Sequence, residues 1–228
     1  MTDPRLLILE TSGRRGAVAV ARGEKLIGAR TLDEGQRNAR DLAPTVAELL
    51  RAQGWAVKQL DAVVVTRGPG SYTGLRVGIM TAKALAYATG CAVLGIDTFA
   101  AVAPQSPPEC PRVDVIGDAQ KEDVYVQPFA RRETWQPSGE LRVEPFALWL
   151  ERRNSEAWVS GPGLVKWEAR LPPDVPRAPV GSRDPGVESL LALGLARYRA
   201  EERDDLFALE PLYLRPSAAE RQWRGRTP

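Results

Sequence analysis

Two acids and one glycine-rich turn are the parts of this chain whose spacing could do chemistry. Glu10 closes the short run "RLLILE" and is followed by Thr11 and Ser12, while Asp118 closes "VDVIGD". Between them, "RGPGSYTG" (67–74) brings Gly68, Gly70, Ser71 and Thr73 to the head of a long apolar stretch. Carboxylates at strand ends can orient a divalent cation and its water, and a turn entering a helix can offer backbone N–H groups to an anion. Together, Glu10, Thr11, Ser12, Gly68, Gly70, Ser71, Thr73 and Asp118 make a candidate weak nucleotide or phosphate site. The turn is not a Walker loop, because Gly74 is followed by Leu75 where the lysine belongs. Nor are Gly68, Gly70 and Gly74 spaced as a dinucleotide fingerprint. Helix capping by Ser71 or Thr73 is therefore the leading reading of this turn, ahead of ligand binding.

The residues that are missing narrow the chemistry further. The 228-residue chain contains no histidine, which removes the commonest general base and transition-metal ligand, and with them Ser-His-Asp, Cys-His and histidine-zinc catalysis. Its two cysteines, Cys91 and Cys110, fit no metal or redox spacing. Two carboxylates alone are too few for a two-metal nuclease. A net charge of +2 falls far short of the basic field of a dedicated nucleic-acid binder. No metal and no catalytic residue is expected. The apolar runs are too short for a membrane span and the N-terminus lacks a leader pattern, so a soluble cytoplasmic protein is expected.

The elements that must position these residues are readable from periodicity. Runs 5–10, 16–21 and 25–31, separated by turns at Gly13 and Gly23, predict an antiparallel meander. Leu42, Val46, Leu49 and Leu50 predict a helix over 38–53, with Pro44 in its first turn if Asp41 is the cap. "DAVVVT" (61–66) and "AVLGI" (92–96) read as buried parallel strands around a helix at 74–89. This order is the layout of the ribonuclease H-like fold, which forms each half of the actin-like ATPase architecture. After the proline-rich 103–112, "VDVIGDAQKEDVYVQPF" repeats strand, acid, turn and strand, a faint duplication in which Asp118 takes the place of Glu10. The expected division is an N-terminal subdomain over 1–103, a smaller degenerate one over 104–216, and a flexible tail over 217–228. Within the second, a strand at "WVSG" and a helix at "DPGVESLLALGLARYRAEE" are expected.

The helix at 74–89 carries only Arg76 and Lys83 as charges and is otherwise small and apolar nearly all round. A crossover helix needs one apolar stripe, so the excess must be covered. Gly78, Ala82 and Ala86 recur every four residues and suit close approach of another helix. Either the chain's own helix at 38–53 or its second domain does the covering, or a partner does.

"RGPGSYTGLRVGIMTAKALA", together with "LLILETS", "DAQKEDVYVQPF" and "EPLYLR" (210–215), resembles the TsaB (formerly YeaZ) family, in order across nearly the whole chain. The resemblance implies two ribonuclease H-like subdomains of the actin-like fold. It further implies a non-catalytic subunit needed to make threonylcarbamoyladenosine on tRNA, paired with the transferase TsaD, joined by the ATPase TsaE, and self-associating when TsaD is absent. Helices 38–53 and 74–89 would form the partner face, with Leu42, Val46, Leu49, Leu75, Gly78, Ile79, Ala82, Lys83 and Ala86 at the contact. It implies no cofactor of the chain's own, ATP and magnesium entering only with the whole complex. The chain departs from the family in having Glu10 where aspartate is usual, a change that displaces a metal ligand by about one methylene and suits a non-catalytic half. The alternative is a small actin-like ATPase acting alone through Glu10, Thr11, Asp118 and the loop backbone. Contact with tRNA is expected only through the complex, the arginines at 215, 221, 224 and 226 being read as a solvated tail.

Overall fold

Strand β1 (Arg5–Glu10) is the centre of the first half: Leu6, Leu7, Ile8 and Leu9 are all fully buried. A strand with a continuous apolar run needs cover on both faces, and the fold supplies it. The computed structural model, which describes residues 3–32 and 38–214, places β1 in a five-stranded sheet. The expected tail at 217–228 and the four arginines from 215 onward lie outside the described residues. β2 (Gly16–Arg22) and β3 (Lys25–Leu32) complete the meander, and β4 (Ala62–Gly68) and β5 (Ala92–Asp97) run parallel to β1, in the order β3-β2-β1-β4-β5. Leu7 and Leu9 point to one core with helix α1 (Asn38–Ala52) and helix α2 (Tyr72–Thr89). Leu6 and Ile8, one residue out of phase, point to a second core.

α1 starts before Asp41, so Pro44 falls in the second turn rather than the first; it deletes one helical hydrogen bond on an exposed side. α3 (Thr98–Val102) follows β5 and was not expected. With the 3₁₀ turn after it, it carries Phe99, Val102 and Ala103 into a shared core with Val113, Val115 and Phe129 of the second half. The proline-rich stretch 103–112 is anchored to this junction by Ala103, Ser106 and Cys110, all buried, while Pro104, Pro108, Glu109 and Pro111 face water.

The second sheet repeats the centre of the first. β6 (Arg112–Asp118) pairs antiparallel with β7 (Asp123–Arg131) and parallel with β10 (Trp158–Ser160), as β1 does with β2 and β4. β8 (Trp135–Pro137) and β9 (Arg142–Pro145) both pair with β7. The core here is aromatic: Phe146 and Trp149 of α4 (Phe146–Arg152) meet Trp167 of α5 (Leu164–Trp167), with Phe146 and Trp167 stacked at 4.4 Å.

Helix α6 (Val187–Arg199) belongs to neither end of this second layer. It returns to the first sheet, where Leu190, Leu191 and Leu195 seal the core beneath Leu6 and Ile8. The span 104–216, read from sequence as one smaller subdomain, therefore divides: from α6 onward the chain serves the first half, because the second face of its sheet requires cover.

Candidate functional site

The C-terminal end of β1 gathers most of the candidate anion site. The Glu10 carboxylate is 2% exposed, and its Oε1 accepts hydrogen bonds from the Ser12 backbone N–H (2.7 Å) and the Ser12 hydroxyl (2.5 Å). Burial pushes the carboxyl up to about 7, Asp184 adding to the rise and the two Ser12 bonds opposing it. Thr11 N–H donates to the Thr66 hydroxyl (3.2 Å), and Ser71 N–H donates to the Ser12 carbonyl (2.7 Å). The 11–12 turn and the 68–74 loop are thereby clamped together.

The glycines of that loop accommodate the chain's own backbone. A Cβ on Gly70 would lie 2.5 Å from the Ser12 carbonyl oxygen, and one on Gly74 would lie 2.0 Å from that of Thr11. Gly68, with φ of +122°, packs against Leu75 and the backbone of Leu212. Ser71 is the α2 cap, its hydroxyl accepting from Gly74 N–H (3.2 Å), whereas Thr73 is exposed within the first turn. Of the loop's backbone donors, the Ser71 N–H is taken by the Ser12 carbonyl and the Gly74 N–H by the Ser71 hydroxyl. Asp118 has partners of its own: half-exposed, it accepts from Gln120 N–H and from Lys166 Nζ, both at 2.8 Å, at the β6–β7 turn. Among the described residues no group of three or more His, Cys, Asp or Glu is placed to hold a metal.

The second candidate, the face of α1 and α2, calls for a correction. Leu42, Val46, Leu49, Leu75, Gly78, Ile79, Ala82 and Ala86 are all buried inside the chain's own core, none of the seven with a side chain more than 5% exposed. The reason is the stripe of small residues itself. A Cβ on Gly78 would come within 2.2 Å of the Thr11 hydroxyl, so the stripe lets α2 sit close on the sheet rather than on another helix. Lys83 is half-buried and donates to the carbonyls of Phe207 (3.1 Å) and Leu209 (3.2 Å). What α2 presents outward is the opposite stripe: Thr73, Met80, Ala84, Tyr87 and Ala88, with Met80 62% and Tyr87 76% exposed. α1 adds exposed Ala43 and Ala47. The signal for this was available: a helix crossing between two parallel strands turns its smallest residues to the sheet, leaving Met80, Ala84 and Tyr87 at i, i+4 and i+7 on the far side.

A sheet of three antiparallel strands continued by two parallel ones, with a reduced copy of its centre in a second layer, defines two ribonuclease H-like subdomains of the actin-like ATPase fold. Comparison with known proteins narrows this. Residues 34–150 match the family described as "TsaD: tRNA N6-adenosine threonylcarbamoyltransferase". The tRNA threonylcarbamoyladenosine biosynthesis protein TsaB of Haemophilus influenzae is 26% identical over 99% of this chain and its own entire length. That of Escherichia coli is 26% identical over 84% of this chain and 86% of the relative. Among solved structures, YeaZ from Pseudomonas aeruginosa superposes with a TM-score of 0.78 at 26% identity, over 92% of this chain and all of that one. The chain belongs to the TsaB/YeaZ family.

Proposed function

We propose that this chain serves the threonylcarbamoyladenosine modification of tRNA as a non-catalytic subunit that docks on the transferase TsaD and activates it. The observation that carries the reading is the outward face of α2, where Met80, Ala84, Tyr87 and Ala88 form an apolar stripe on an 18-residue helix of a water-facing surface. A stripe of that kind beside the small residues of α1 suits helix-against-helix packing, and exposed apolar patches mark interaction surfaces. The turn at Glu10 supports an accessory role, since its loop glycines are filled by backbone rather than left open to a nucleotide. The relatives named TsaB and the match to the TsaD family point to the same pathway and to a partner of related fold. The same face suits a second copy of this chain when TsaD is absent, and TsaE is the expected third member.

The test is titration of the purified chain with TsaD, followed by tRNA modification with and without it. Met80→Glu places a charge on an already exposed position, so folding is retained while TsaD binding falls at least about 100-fold and modification is lost. Binding and modification unchanged in that variant would overturn the reading, as would modification at full rate without the chain.

A further inference from the structure

The segment that follows α6 is tied to the first half at several points. Asp204 N–H donates to the Val93 carbonyl (3.1 Å), and its carboxylate accepts from Gly95 N–H (2.6 Å) and from both terminal nitrogens of Arg197 (3.1 and 3.2 Å). Leu212 N–H donates to the Arg67 carbonyl (2.7 Å). Tyr213 stacks on Tyr72 at 4.8 Å, and its hydroxyl accepts from Arg76 Nε (2.8 Å). Lys83 holds the carbonyls of residues 207 and 209. Tyr213 therefore lies at the first turn of α2 and Phe207 near the third: residues 203–213 form a strap running antiparallel to the helix. On the helical wheel it lies along the Arg76–Lys83 flank, opposite Val77 and Leu85, which pack toward the core.

One residue of this strap is anchored in a way its fold does not use. Leu209 is buried and fixes the strap, but the Phe207 ring is 77% exposed although its backbone carbonyl is held by Lys83. Lys83 is three residues from Met80 and four from Tyr87, so the Phe207 backbone is held on the flank next to the apolar stripe. The cations of this flank are occupied sideways, Lys83 by two carbonyls and Arg76 by Tyr213 and the Tyr72 ring (4.1 Å). A face whose charges are engaged in this way fits an apolar helix surface rather than the phosphates of a nucleic acid.

We infer that the strap is part of the docking surface: Phe207 extends the stripe of Met80 and Tyr87 to meet an apolar helix of the partner, and Arg197 and Asp204 are positioning residues that hold it there. The inference rests on the α2 reading above and deepens it. It is tested by measuring TsaD affinity for Phe207→Ala, Phe207→Tyr, Asp204→Asn and Met80→Glu, with hydrogen exchange over 203–213 and a melting temperature for each. Phe207→Ala lowers affinity about 10-fold with an unchanged melting temperature, and Phe207→Tyr restores it. Asp204→Asn speeds exchange over the strap and lowers affinity by a similar factor, which a merely structural role far from the interface would not do. If Met80→Glu abolishes binding while Phe207→Ala stays within about twofold of the parent, the strap is not part of the surface and the inference falls. If Met80→Glu has no effect, it is the α2 reading that fails.

Discussion

The two halves of this molecule begin alike and end differently. β1 and β6 occupy the same place, each with an antiparallel neighbour on one side and a parallel one on the other, and each ends in an acid. Both halves then close the end of that strand with glycines following the parallel neighbour. In the first, Gly70 and Gly74 press on Ser12 and Thr11; in the second, Gly161 and Gly163 press on Ile116 and Gly117. There the likeness stops. The first loop launches an 18-residue helix with an apolar stripe on its outer face, whereas the second launches four residues, Leu164–Trp167, of which Leu164 and Trp167 are buried and only Val165 presents an apolar side chain to water. Glu10 is sealed beneath its loop, but Asp118 stays near water with Lys166. The strand scaffold is common to both halves, and the long helix with an exposed apolar stripe belongs to the first.

The contact geometry gives the sharpest way to break that comparison. Gly74→Ala drives a methyl group to 2.0 Å from a backbone carbonyl that has nowhere to go, so it destabilises by about 3 kcal/mol or more. Gly163→Ala meets Gly117 at 3.0 Å and costs roughly 1–2 kcal/mol; chemical denaturation of both variants measures the difference. Equal costs would mean that the likeness of the two closures extends to how tightly these two glycines are held.

The acids give the next test. Glu10 has a folded pKa of about 7 against an ordinary 4.5, so the folded state binds more protons than the unfolded one between those values. Stability is therefore full below about 4.5, declines as pH rises toward 7, and levels off above it. The loss is on the order of 3 kcal/mol, and Glu10→Gln, which cannot ionise, flattens it in melting curves taken from pH 4.5 to 8. At the matching position of the second half, Asp118→Asn removes an exposed pairing with Lys166 and changes stability by no more than about 0.5 kcal/mol.

Much of the first half was legible because its signals are long. The β-branched run at 62–66 and the helical spacing of Leu42, Val46 and Leu49 each specify one element over many residues. The second half was harder to read: β8, β9 and α5 span three or four residues each, below the length at which periodicity distinguishes helix from strand. The site was half legible. Sequence singled out α2 and its small residues, but a small residue at every fourth position serves close approach to a strand as well as to a helix. Only the placement of Thr11 against Gly78 decides which. The strap was invisible because its ties join residues more than a hundred positions apart, such as Lys83 with Phe207 and Gly95 with Asp204.

β5 is the last strand of its sheet, and such a border ordinarily invites another chain to continue the ladder. Here the invitation is withdrawn. The Gly95 N–H is occupied by the Asp204 carboxylate, the Gly95 carbonyl by Arg197 at 2.8 Å, and the Val93 carbonyl by the Asp204 amide. Asp204 and Arg197 thus stand in for the missing neighbour strand, and an extended peptide arriving at that border finds both groups of Gly95 and the Val93 carbonyl already engaged. At this border the chain's own C-terminal segment stands where a neighbouring strand would add, so extension of the sheet and the filaments it would seed are disfavoured on the β5 side.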